Sequence, residues 1–258
     1  MEKFESNIEK EPTIEKIRVS VSNLVNTCRV NETGEVHYLA MKGKPIKLDG
    51  EIYDRYQALG GAAKMTDSGK QEFIDKYNAE FGRPDRSAEE DDDARFFVPL
   101  PENAREYVGD NEDQKQESKK ERDGYLHDVL DPFVNPNEEN PLFETDVMRE
   151  VEEELGDVIE STKGVSSTYS GIVSPVEWKT KTSARETGVP SRRLFRLFEI
   201  GVSVDQFKEM QESEKIRILS EEDLEAIRLS VKEGKPTAMT SDGGVIVENI
   251  FPEFYDKN

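Results

Sequence analysis

The chain has 258 residues, enough for one large domain or two small ones, and a hydrophobic content of 34% that suffices for a core. Its 56 acidic and 35 basic residues give a formal net charge of −21, which argues against general affinity for duplex nucleic acid or an anionic membrane, because both require clustered cations. A single cysteine, Cys28, excludes an intrachain disulfide, the two histidines have no familiar zinc spacing with it, and no apolar run or basic leader marks insertion or export, so a cytoplasmic setting is expected.

Residues 1–14 read as a flexible acidic leader, and residues 15–258 as a single domain. Ile17, Val19, Val21, Leu24 and Val25 predict a first strand, Asn31–Gly34 a turn, and Val36, Tyr38 and Ala40 a second strand that completes a hairpin. A short third strand, Ile46–Leu48, ends at Asp49-Gly50. Tyr56–Lys64 then reads as a strand carrying the pair Gly60-Gly61. Ser68 is placed to cap a helix whose stripe is Phe73, Ile74, Tyr77 and Phe81, with Gly82 and Pro84 stopping it. Arg86–Asp93 is an acidic loop, Arg95–Leu100 an apolar strand, and Pro101–Val108 one helical turn or two. Gly109–Arg122 has no apolar period and reads as mobile or as a solvated helix, after which Tyr125, Leu126, Val129, Leu130 and Phe133 return the chain to the core.

The densest chemical signal is Arg149-Glu150-Val151-Glu152-Glu153-Glu154-Leu155-Gly156. Glu150, Glu153 and Glu154 stand three and four apart, so on a helix they share one stripe, while Val147, Met148, Val151 and Leu155 supply an apolar face. Like charges at these spacings repel, and a hard divalent cation that prefers carboxylate oxygen would relieve the repulsion. Gly156 is placed to end the helix in the left-handed conformation. The alternative is an ordinary acidic surface helix. Further on, Val165–Trp178 and Arg193–Val202 read as long strands, the second central because Leu194, Phe195, Leu197, Phe198 and Ile200 are almost continuously apolar. Val204–Glu212 and Ser220–Lys232 read as helices, the latter opened by a capping box, with a short strand Ile216–Leu219 between them.

The octet resembles the helix of the Nudix box, matching each defined position through Gly156. Asp157 stands where that pattern has an aliphatic residue, and Asn135 and Pro141 stand where its upstream glycine and first glutamate are expected. Gln57-Ala58-Leu59-Gly60-Gly61-Ala62-Ala63-Lys64 looks like the Nudix strand that leads into the metal helix, with residues 65–141 intervening as a long insertion. In layout the closest resemblance is to Nudix domains associated with bacterial oligonucleotide-signalling defence operons.

This resemblance implies an α+β fold, with a mixed β-sheet sandwiched between helices and a helical or irregular insertion at about 65–141. It also implies a Nudix-type hydrolase, a metal-dependent pyrophosphohydrolase that cleaves a diphosphate bond in a nucleoside diphosphate derivative or related small nucleotide. Mg²⁺ or Mn²⁺ would be held by Glu150, Glu153 and Glu154 with backbone oxygen from Gly60 or Gly61, and Arg149 would orient a carboxylate, with Glu144 as substitute for the missing glutamate. Lys179, Lys181, Arg185, Arg192, Arg193 and Arg196 form a basic patch in this acidic chain. Arg192 and Arg193 are the favoured phosphate ligands among them, against the alternative of a solvated loop. Trp178 or Tyr169 could stack on a base, core packing being the plainer role for each. A Nudix fold that senses nucleotide or binds protein without turnover, and an acidic interaction protein in which the octet carries no chemistry, are the competing readings. The oligomeric state is left open, a homodimer included.

Overall fold

The computed structural model describes residues 16–48, 50–81, 92–105, 111–136, 139, 141–178, 191–232, 237–240 and 245–252. The expected leader, most of the acidic loop, and Lys179, Lys181 and Arg185 of the basic patch lie outside these residues. In chain order the elements are β1 (Lys16–Val30), β2 (Val36–Lys42), β3 (Ile46–Leu48), β4 (Glu51–Gln57), β5 (Leu59–Ala62), α1 (Asp67–Tyr77), β6 (Glu80–Phe81) and β7 (Arg95–Pro99). A single 3-10 turn, Glu102–Ala104, is followed by α2 (Glu112–Val134), α3 (Met148–Leu155), β8 (Ser166–Trp178), β9 (Ser191–Val202), α4 (Val204–Glu212), β10 (Ile216–Ile218), α5 (Glu221–Lys232), β11 (Thr237–Met239) and β12 (Val245–Glu248). No described helix is long and apolar enough to cross a membrane.

The chain divides into two compact units, one comprising residues 22–63, 144–174 and 195–258, the other residues 1–21, 64–143 and 175–194. In the first unit β1 pairs antiparallel with β2 and β5, β2 with β4 and β10, and β4 with β3. β12 runs parallel to β4 and antiparallel to β11, which makes the sheet mixed. β9 has β1 and β8 as neighbours, the central place its apolar sequence predicts. Neighbouring residues in a strand point to opposite faces, and two hydrophobic clusters result. Leu39, Leu59, Phe198 and Ile200 pack with Val151 and Leu155 of α3 and Phe207 and Met210 of α4. Ala40, Ala58, Phe195 and Leu197 pack with Leu224 and Ile227 of α5 and with Phe251. The fold of this unit is therefore α+β, a mixed sheet covered by helices. The capping box of α5 is present, Ser220 Oγ accepting from the Asp223 amide at 3.2 Å and an Asp223 carboxylate oxygen from the Ser220 amide at 3.3 Å. The C-terminal strands β11 and β12 were not expected, although Ser241-Asp242-Gly243-Gly244 between them is a turn sequence.

In the second unit the first residues of β1 pair antiparallel with β7, Lys16 opposite Pro99 through Ser20 opposite Arg95, and β7 pairs with β6. Its core is aromatic, with the Phe73 ring 5.1 Å from Phe96 and 5.3 Å from Phe133, and Phe133 4.8 Å from Phe143. Two expectations for α1 are corrected. Thr66, with extended backbone, is the cap in place of Ser68, its hydroxyl accepting from the Gly69 amide at 3.0 Å. Asn78, in the left-handed conformation, ends the helix ahead of Gly82, which leaves Phe81 on β6 and Ile74 exposed. Gly69 fixes that rotation, since a Cβ there would lie 2.0 Å from the Leu142 carbonyl oxygen. Within the segment read as mobile or as a solvated helix, residues 112–122 are helical: Asn111 caps α2 by accepting from the Asp113 and Gln114 amides at 3.1 and 3.3 Å. Only the second half of α2 buries side chains, Leu126, Val129, Leu130 and Phe133.

Candidate active site

The site begins with the way α3 is pinned. Val147, Val151 and Leu155 are fully buried, and the 3.6-residue period turns Glu153 out to solvent while Glu150 and Glu154 flank that core, both half-buried. Asp146 Oδ1 accepts from the Met148 amide at 3.1 Å at the start of the helix. The expected left-handed stop at Gly156 is corrected: this residue is right-handed, φ −58° and ψ −20°. The chain instead continues through Val158 and Ile159, whose amides both bond the Leu155 carbonyl and carry Ile159 into the same apolar cluster.

The glycine-bearing strand and the acidic helix meet. In β5, Gly61 lies opposite Asn23 and Gly60 opposite Leu24. The Gly60 amide donates to Glu154 Oε2 at 3.0 Å, and a Cβ on Gly61 would stand 2.8 and 2.9 Å from the two Glu150 carboxylate oxygens. The glycines do different things. Gly60 has φ +123°, and a side chain there would strike the Asn23 carbonyl oxygen at 2.2 Å, so backbone geometry itself demands glycine. Gly61 has no such dihedral requirement, and its missing side chain is the space the Glu150 carboxylate uses.

Arg149 engages most of the cluster. Its guanidinium bonds both Glu144 oxygens at 3.2 and 3.1 Å, both Glu153 oxygens at 3.0 Å, and Glu150 Oε1 through Nη2. Partial burial opposes its charge, but the bonds from three carboxylates outweigh it and hold the arginine more firmly protonated than a free guanidinium. Glu144 precedes α3 and reaches the cluster from outside the helix. Glu154 has the Gly60 amide as its hydrogen-bond donor; burial first, then the charges of Glu150 and Glu153, push its carboxyl up to about 7 against that bond. With Arg149 gathering three carboxylates and Glu154 turned to Gly60, no three acidic, histidine or cysteine side chains stand in a metal-ligating group among the described residues. The donor chemistry nevertheless suits a hard cation: carboxylate oxygens beside a strand whose missing Cβ leaves room for them.

Of the basic patch, Arg192 and Arg193 lie on the part of β9 that belongs to the other unit. Arg192 Nη2 binds Asp123 at 3.0 Å, and Arg193 is also engaged. Sequence reasoning undervalued Arg196, which is 3% exposed, donates to Asn23 Oδ1 at 3.2 Å, and lies 5.1 Å from the centre of the Tyr169 ring. Burial lowers its tendency to hold a proton, countered by the Tyr169 contact. Tyr169, expected in the core, is instead an exposed residue packed edge-on to Phe198. Asn23 was not singled out; its only sequence signal is an amide at the point where the period-two apolar pattern of β1 breaks ahead of Leu24 and Val25. Compared with known proteins, the chain matches no protein-family model, no curated protein and no solved structure.

Proposed function

We propose that this protein is a metal-dependent hydrolase of the Nudix type acting on a diphosphate bond of a small nucleotide. The observation that carries the reading is the meeting of Gly60 and Gly61 with Glu154 and Glu150, Gly60 and Glu154 standing ninety-four positions apart in sequence. Glu150, Glu153 and Glu154, with backbone oxygen of Gly60 or Gly61, are the residues that would hold Mg²⁺ or Mn²⁺. A divalent cation bound there would supply charge neutralisation on the phosphates and acidify a water molecule. Should one glutamate act as base in place of a ligand, Glu154, whose carboxyl is pushed up to about 7 in metal-free protein, is the one suited to exchange a proton with water. Arg149 orients Glu150 and Glu153 through paired hydrogen bonds and keeps their mutual repulsion bearable in metal-free protein.

A second reading, a nucleotide sensor without turnover, is favoured by Pro141 in place of the expected glutamate and by the closure of Arg149 over the carboxylates. A screen of nucleoside diphosphate derivatives, dinucleoside polyphosphates and oligonucleotides with Mg²⁺ and Mn²⁺, read by product chromatography, separates the two. An enzyme releases mononucleotide or phosphate only with the cation and loses this in Glu154→Gln. A sensor retains nucleotide unchanged.

A further inference from the structure

Asn23 has its backbone on one half of the site and its side chain on the other. Its main chain lies opposite Gly61 in the β1–β5 ladder, and its carbonyl oxygen is the atom that excludes a side chain from residue 60. Its side-chain Nδ2 donates to the Glu144 carbonyl at 3.2 Å and to the Asp146 carbonyl at 2.6 Å, the two residues whose side chains reach Arg149 and the first amide of α3. Its Oδ1 accepts from Arg196, which also donates to the Glu144 carbonyl at 3.4 Å. Both residues are buried, Asn23 1% and Arg196 3% exposed. The two ends of the amide are chemically matched, donors toward carbonyls and the acceptor toward a guanidinium, so neither Asp nor Leu reproduces the arrangement.

We infer that Asn23, held by Arg196, is the positioning residue that sets the acidic helix against the glycine strand, fixing where Glu150 and Glu154 stand relative to Gly60 and Gly61. This rests on the reading of those carboxylates as cation ligands. A buried amide of this sort acts on a metal site through the ligands it orients, where loss costs roughly 10–100-fold in affinity. Asn26 is an internal control three positions along the same strand. It is equally buried, but its amide donates to the Asn249 carbonyl at 3.2 Å and accepts from the Phe251 amide at 3.0 Å, serving the C-terminal segment.

The experiment compares Asn23→Asp, the milder Asn23→Ser, and Asn26→Asp in the full chain, reading Mn²⁺ affinity by paramagnetic resonance and amide hydrogen exchange by mass spectrometry. Asn23→Asp is expected to weaken Mn²⁺ binding at least ~10-fold and to speed exchange in Met148–Leu155, with Asn23→Ser intermediate and informative should the aspartate variant not fold. Asn26→Asp is expected to bind Mn²⁺ like wild type and to speed exchange in residues 249–252. Equal Mn²⁺ affinities and equal α3 exchange in the Asn23 and Asn26 variants would overturn the inference. Failure of wild-type protein to bind Mn²⁺ would instead overturn the cation reading, while the exchange comparison still decides whether Asn23 positions α3.

Discussion

The helices α2 and α3 are both rich in charge, yet their charges do opposite things. In the first half of α2, ion pairs such as Lys115 with Glu112 at 2.8 Å sit in solvent and are worth only a few tenths of a kcal/mol, roughly what exposed helix pairs contribute. In α3 the same residue types are pressed against β5 and the segment before the helix, so that one arginine serves three carboxylates and Glu154 is pushed up to about 7. Acidic composition is thus uninformative by itself. What separates a solvated face from a candidate site is whether backbone crowds the carboxylates.

The largest expected effect tests that crowding directly. Gly60→Ala adds a side chain 2.2 Å from the Asn23 carbonyl oxygen at a positive φ, and strain plus overpacking should cost about 2–5 kcal/mol in chemical denaturation. A loss below about 0.5 kcal/mol would show that β5 does not need glycine there.

Next, Glu154→Gln should lower cation-dependent hydrolysis by on the order of 100-fold or more in kcat. The same substitution should stabilise metal-free protein at high pH. The native carboxyl titrates near 7 and the unfolded one near 4.5, so between these values the native state keeps a proton that the unfolded chain has released. Wild-type stability should therefore fall as pH rises from about 4.5 to about 7 and level off above, losing on the order of 1–2 kcal/mol once solvent screening is allowed for. Thermal melts of Glu154→Gln across that range should lack the slope; an identical slope in the variant would place the titrating group elsewhere.

Gly61→Ala should cost about 10-fold in activity with little change in stability, because the atoms its Cβ meets belong to the movable end of Glu150. A stability loss as large as that of Gly60→Ala would mean that the two glycines do the same work. The smallest effect is expected in α2. Lys115→Ala should change stability by less than about 0.5 kcal/mol and leave hydrolysis untouched, and amides of residues 112–122 should exchange faster than those of α3. Protected amides in that half of α2 would break the contrast.

Much of this was legible in local sequence. The period-two run at Ile17–Val25, the almost continuous apolar run of Leu194–Ile200, the Ser220 capping box and the apolar stripe of Val147, Val151 and Leu155 each specify an element through interactions a few residues long. Errors fell where a longer-range contact decides. Ser68 lost the cap of α1 to Thr66, whose hydroxyl also donates to the Leu142 carbonyl at 3.1 Å. Core packing was the plainer role for Tyr169, but the residue is exposed and its ring lies against the buried Arg196 guanidinium. Strands β11 and β12 are short, and β12 finds its second partner in β4, nearly two hundred positions earlier in the chain.

By itself the sequence determined that Glu150, Glu153 and Glu154 share a stripe of a short helix, since spacing and a fixed helical pitch are enough. It also put two glycines in a strand far from that helix. Only the tertiary structure decided that they meet, that Gly60 is required by backbone and Gly61 by a carboxylate, that Arg149 gathers Glu144 as well as its helical neighbours, and that Asn23 holds both halves. Those contacts join residues remote in the chain, and their energies come from burial and exclusion of water, which no local pattern encodes.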